Sequence, residues 1–279
     1  MSTRFSFNPL VMFATLSVIL ACSMVSPRSA QAPSSPVSAV TSVQSGIPFS
    51  ATPIRLVIPD VLATGANADT IDVVTEQTGA PGDIAPAHLQ VTFQGYALPA
   101  SFHVPQLFVY PAEPYAALNQ SAAESIKSLQ AVLANPAVQY EIAALPRVPF
   151  FTAGQVFAAQ QKVIRFSGGS GLRIVTQYAQ DKSPINNSGL FYHFEGLSDD
   201  TKYYVIAILP VNLPFLPADN NPSSPVPAGG VPFPAGVAPG SSFEDYFKRT
   251  TDLIGSAPAD QFNPSLSTLD TLIESISTP

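Results

Sequence analysis

Two hairpins written back to back leave this chain little choice of fold. Apolar runs at residues 163–166 and 172–178 flank Ser167-Gly168-Gly169-Ser170-Gly171, and a second pair at 190–195 and 203–209 flanks a turn around Asp199-Asp200. Glycine supplies the positive backbone angles that tight hairpins need, and Asp bonds its own backbone in turns, so both segments predict antiparallel pairs. The run 203–209 is apolar on both faces, which places it in the middle of a sheet covered on both sides.

Upstream, Ile54, Leu56 and Ile58 alternate with Arg55 and Val57, and Leu89, Val91 and Phe93 alternate with His88, Gln90, Thr92 and Gln94. Both read as strands with one buried face, and Leu107 and Val109 offer a partner strand. The stretch 62–87 carries no clear period and reads mostly as loop. The period then changes: Tyr115, Leu118, Ala122, Ile126, Leu129 and Leu133 form a helical stripe. Ser121 and Glu124 have capping-box spacing, and Asn135-Pro136 ends the helix. Thr152 and Gln155 predict another helix start, leading through Val156, Phe157 and Ala159.

Proline, at 29 of 279 residues, is about twice its usual ~5% share. Nine of these prolines fall within 210–240, where Asp219 is the sole charge, so this segment is expected to be a long loop. Two helices close the chain. Ser242 with Asp245 caps the first, and Asn263 with Pro264 at its first turn opens the second, whose stripe is Leu266, Leu269, Ile273 and Ile276. The expected fold is α+β: one domain over residues 47–279, with a mainly antiparallel sheet flanked by helices.

The N-terminus carries an address. Arg4 precedes an apolar run at 10–20, the length of a secretory h-region and short for a bilayer span. Ile19, Leu20, Ala21 and the lone cysteine, Cys22, follow. These four resemble the lipobox of bacterial lipoproteins, with Leu20 standing where a small residue is usual. The resemblance implies a signal segment at 1–22, acyl chains on Cys22, and a membrane anchor on the extracytoplasmic side. Cleavage after Ala30-Gln31-Ala32 to give a secreted protein, or retention of an uncleaved anchor, are the alternatives. Residues 23–46, rich in Ser, Ala and Pro, cannot bury enough surface to offset their ordering entropy and read as a tether.

Only 11% of residues are charged and the net charge is −7, with no stripe of Lys and Arg, which argues against nucleic acid. The glycine-dense 167–171 turn lacks the Lys of a phosphate loop, and no Gly-x-Ser-x-Gly elbow occurs. His88, His103 and His193 are far apart without metal-ligand spacing, and His88 and His193 are expected on polar strand faces. No metal or other cofactor is implied. Thr176, Gln177, Tyr178, Gln180, Asn186, Asn187 and Tyr192 mix amides and aromatics around one loop, which suits a neutral polar ligand such as a glycan or peptide. The residues singled out for that role are Tyr178, Asn186, Asn187 and Tyr192. Alternatively, Asn186-Asn187 caps a turn and the tyrosines cover a sheet edge.

The order hairpin, central strand, closing helix over about residues 150–279 is similar to PsbP-like domains, which implies an extracytoplasmic binding role and no particular functional residues. Two expectations result. One is an anchored, non-enzymatic binding or scaffold module of the cell envelope, facing a protein or carbohydrate partner. The other is an envelope hydrolase assembled in three dimensions from residues such as His193, Glu195 and Asp200.

Overall fold

A computed structural model describes residues 45–75, 84–98, 101–234 and 242–279. The signal segment with Cys22 and nearly all of the tether lie outside the described residues. Among the described residues, nine strands and four α-helices form an α+β domain. Strands β1 (Gly46–Ala51) and β2 (Ile54–Pro59) make a separate hairpin. The other seven are β3 (Gly65–Ile71), β4 (His88–Gln94), β5 (Gln106–Pro111), β6 (Gly154–Phe166), β7 (Gly169–Ala179), β8 (Phe191–Ser198) and β9 (Tyr203–Pro210). They form one antiparallel sheet in the order β3-β4-β5-β9-β8-β7-β6. Strand β9 is the fourth of seven, as its two apolar faces require.

The sheet divides two cores because alternate side chains point to opposite faces. On one face, Val205, Ala207 and Leu209 join Val91, Leu107 and Val109 beneath the β1–β2 hairpin and the C-terminal helices. Those helices are α3 (Phe243–Ser256), capped by the Ser242 hydroxyl, and α4 (Leu266–Glu274). On the other face, Tyr204, Ile206 and Ile208 lie with Phe108 and Tyr110 under α1 (Ala112–Leu118) and α2 (Gln120–Ala134).

Several expectations need correction. Residues 154–159, expected in a helix, are instead the first half of strand β6, which continues through the expected strand at 163–166. Bulges between Gln155 and Phe157 and between Ala159 and Lys162 shift its register against β7, so its apolar residues lose period two and mimic helical spacing. Gln160 sits in the second bulge at φ 58, and its amide donates to the Ile254, Gly255 and Ala257 carbonyls at the end of α3. The stretch expected to be loop contains β3, an edge strand whose exposed residues have no buried face to advertise. The stripe from Tyr115 breaks at Asn119, whose side chain accepts the Ala122 N–H and begins α2. Ser265, not Asn263, caps α4; Asn263 instead pairs its backbone with Asn212.

The first hairpin turns on Ser167-Gly168 alone, with Gly168 at φ +87, and Gly169 to Gly171 belong to β7. A Cβ on Gly171 would come within 2.3 Å of the Glu195 carbonyl oxygen and 2.4 Å of the Phe194 ring, so the glycine admits close packing inside the sheet. The Pro-rich segment is packed down over its first residues, while residues 218–223 stand exposed. Val211, Leu213, Phe215 and Leu216 are buried in the first core, which makes it a packed strap. Among the described residues, no helix is long and apolar enough to cross a membrane.

Candidate functional site

Strands β7 and β8 are joined by residues 180–190, and this connection is knit down rather than loose. The Gln177 amide donates to the Pro184 carbonyl (3.2 Å) and accepts the Asn186 N–H (2.9 Å). Asn186 donates to the same carbonyl (2.9 Å) and accepts the Gly189 N–H (3.0 Å). The Tyr246 hydroxyl of α3 accepts the Ile185 N–H at 2.9 Å. Each bond satisfies a backbone group that a buried loop would otherwise strand, at a net contribution of about 1 kcal/mol apiece.

Above this floor opens a cleft of about 840 Å³, within the range of small-ligand sites. Its aromatic wall comes from three separate parts of the chain. The His103 ring stacks on Phe151 with centroids 5.5 Å apart and lies 4.5 Å from Phe191. Phe151 meets Phe150 edge-on at 5.4 Å and Tyr178 edge-on at 5.0 Å. Phe102 stands at the mouth, 80% exposed, its position fixed by its N–H donating to the Ser188 carbonyl (3.0 Å) and its ring edge-on to His103.

Burial, partly offset by a backbone hydrogen bond at Gly189, lowers the His103 pKa to about 4 and keeps the ring neutral near pH 7. Burial also raises the Tyr178 pKa, and its hydroxyl accepts the Val148 N–H (3.1 Å). Tyr178 therefore offers its ring rather than its hydroxyl. The rim is polar: Gln180, Asp181 and Asn220 line the cleft, and among the described residues their side chains carry no hydrogen bond or ion pair. Lys182 turns aside and places its ammonium 5.3 Å from the Phe243 ring centroid.

The four residues singled out from sequence separate. Tyr178 and Asn186 line the cleft. Asn187 does not: its amide donates to the Leu213 and Leu216 carbonyls and accepts the Leu213 N–H, fastening the strap. Tyr192 is fully buried on the opposite face, where its hydroxyl donates to Asp270 at 3.0 Å. Phe102, His103, Phe150 and Phe151 carried no local signal, because isolated aromatics read as core until the fold brings them together.

The residues of the expected hydrolase do not all converge. Asp200 stays in the β8–β9 turn, its pKa lowered to about 2 by hydrogen bonds from Lys202 and Ser198. His193, expected on a polar strand face, is instead 1% exposed, as is Glu195, because α2 covers that face. Their Nε2 and Oε1 atoms lie 2.8 Å apart but out of line for a hydrogen bond. The other Glu195 oxygen accepts from the Ser125 hydroxyl (2.7 Å) and from the Tyr204 hydroxyl. Burial and the Glu195 charge both raise the Tyr204 pKa. Ser125 thus bonds a carboxylate rather than the imidazole that activation of a serine nucleophile requires. Among the described residues, no three His, Cys, Asp or Glu side chains gather as a metal-ligating group.

Comparison with protein-family models, with curated proteins and with solved structures returned no match.

Proposed function

We propose that this chain is an exported binding module of the cell envelope, held at a membrane through acyl chains on Cys22, and that the β7–β8 cleft receives part of its partner. The observation that carries the reading is the convergence of an aromatic wall with a rim of uncommitted polar side chains on a hydrogen-bonded floor. Such preformed sites lose little entropy when a ligand orders in them. Among the described residues, the cleft's polar groups include no nucleophile paired to a base, which favours binding over hydrolysis. The lipobox resemblance supports anchoring, and the tether would let the domain reach away from the bilayer.

A photo-reactive phenylalanine analogue placed at Gln180 in the full-length protein, irradiated in intact envelopes, should give a discrete cross-linked species. The same probe at Asp69, on the exposed face of β3, should not. Adding Ala153→Trp, which fills the cleft, should abolish the species. An identical pattern from both probe positions, or one indifferent to Ala153→Trp, would reject the cleft as the binding site.

A further inference from the structure

We infer that the ligand of this cleft is a neutral carbohydrate, a conclusion that rests on the binding reading above. Three features of the lining select that chemistry. The first is the aromatic surface. A pyranose ring presents a patch of C–H groups on one or both faces and hydroxyls around its edge. The C–H patch packs against an aromatic face, whose negative quadrupole attracts weakly positive hydrogens. Phe102, with most of its ring in solvent at the mouth, and Phe151 and Tyr178 within offer such surface. Holding a ring as large as Phe102 in water loses the hydrophobic gain of burial, which a stacked sugar would restore.

The second feature is the rim. Gln180 and Asn220 each offer a carbonyl oxygen and an NH₂ side by side, and Asp181 offers two acceptor oxygens. Neighbouring hydroxyls on a sugar present donors and acceptors at matching spacing, so a planar amide or carboxylate can bond two at once. Gln177 and Asn186 differ from these three, because their amides are already committed to the floor. The aromatic base and the free polar edge thus occupy different layers, as the two chemistries of a sugar ring do.

The third feature is charge. Among the described residues, Asp181 is the one acidic side chain in the lining and no Lys or Arg lines the cleft; Lys182 is drawn onto Phe243. A phosphate or uronate would be desolvated there against a carboxylate with no cation to compensate it. An extended peptide is disfavoured for a different reason. Recognition by strand addition needs an open sheet edge, and β7 is paired beside the cleft with β6 on one side and β8 on the other.

The test is calorimetric titration of the full-length protein with cellohexaose, xylohexaose, mannohexaose and chitohexaose, and with hexagalacturonate and decaproline as contrasts. At least one neutral hexaose should bind saturably, more than tenfold tighter than hexagalacturonate. Phe102→Ala should weaken that binding tenfold or more and Gln180→Ala about fivefold, while Val61→Ala, at a distant exposed position, should leave it unchanged. Both Phe102 and Gln180 are exposed, so their variants should fold, and retention of the wild-type urea midpoint verifies this. Binding of hexagalacturonate alone, or hexaose binding indifferent to Phe102→Ala, overturns the assignment. Decaproline binding lost in Phe102→Ala, with no hexaose bound, overturns the carbohydrate while leaving the cleft as the site. No binding by any probe, together with no Gln180 cross-link in envelopes, overturns both.

Discussion

Asn187 and Leu213 close a ring of two hydrogen bonds: the Leu213 N–H donates to Asn187 Oδ1 at 2.8 Å, and Asn187 Nδ2 donates back to the Leu213 carbonyl at 2.9 Å. A side-chain amide here imitates the backbone of a paired strand. It fastens the Pro-rich strap, which cannot form a regular ladder because its prolines lack N–H groups.

Asn187→Ala should therefore destabilise the domain by about 2 kcal/mol, the cost of leaving a backbone donor and acceptor without their partner. Urea unfolding followed by circular dichroism measures it. Asn187→Asp, which keeps the acceptor for Leu213, should recover part of the loss. A midpoint unchanged in Asn187→Ala would mean that the strap is held by burial of Leu213, Phe215 and Leu216 alone.

Glu195 joins elements far apart in sequence, accepting from Ser125 on α2 and Tyr204 on β9 beside His193. Removing the carboxylate strands several buried polar groups at once. Glu195→Ala should cost about 3 kcal/mol or more, and Ser125→Ala about 1–3 kcal/mol. Because both variants break the same bond, the double variant should lose less than the sum, which a double-mutant cycle reads directly.

The His103 ring resists protonation in the fold, with its pKa near 4 against an ordinary value near 6.5. Between those values the unfolded chain binds a proton that the folded one refuses. Stability should accordingly fall as pH drops from about 6.5 toward 4, with a slope of at most about 1.4 kcal/mol per unit from this group. Burial shifts His88 in the same direction, so the contribution of His103 is isolated as the difference from His103→Gln. Urea midpoints across that pH range should converge for the two proteins as pH falls.

Acylation is tested most directly in growing cells. Wild-type protein should incorporate a labelled fatty acid and Cys22→Ala should not. Equal labelling of both would remove the anchor from the proposal, and a mature N-terminus at Pro33 would replace it with secretion.

What could be read from sequence follows burial. The two hairpins, the central position of β9, the end of α2 and the cap at Ser242 each come from signals within a few residues of one another. The first half of β6 is hidden by its bulges, and β3 by the solvent on its residues. His193 reads as solvent-facing because alternation marks it as polar but cannot disclose that α2 lies over it. In the cleft, Tyr178 and Asn186 were legible because one loop holds them. Phe102, His103, Phe150 and Phe151 meet that loop only through long-range packing, which no local period encodes.

The bulge at Gln160 has a bearing on how this sheet meets other molecules. Gln160 grips the end of α3, the neighbouring Gln161 amide bonds both backbone groups of Tyr140, and Ser167 bonds the C-terminal tail. Part of the β6 border is thereby occupied by the protein's own side chains and tail. At the opposite border of the seven-stranded sheet, β3 bears Asn67 and Asp69, exposed polar groups that deter annealing to a second sheet.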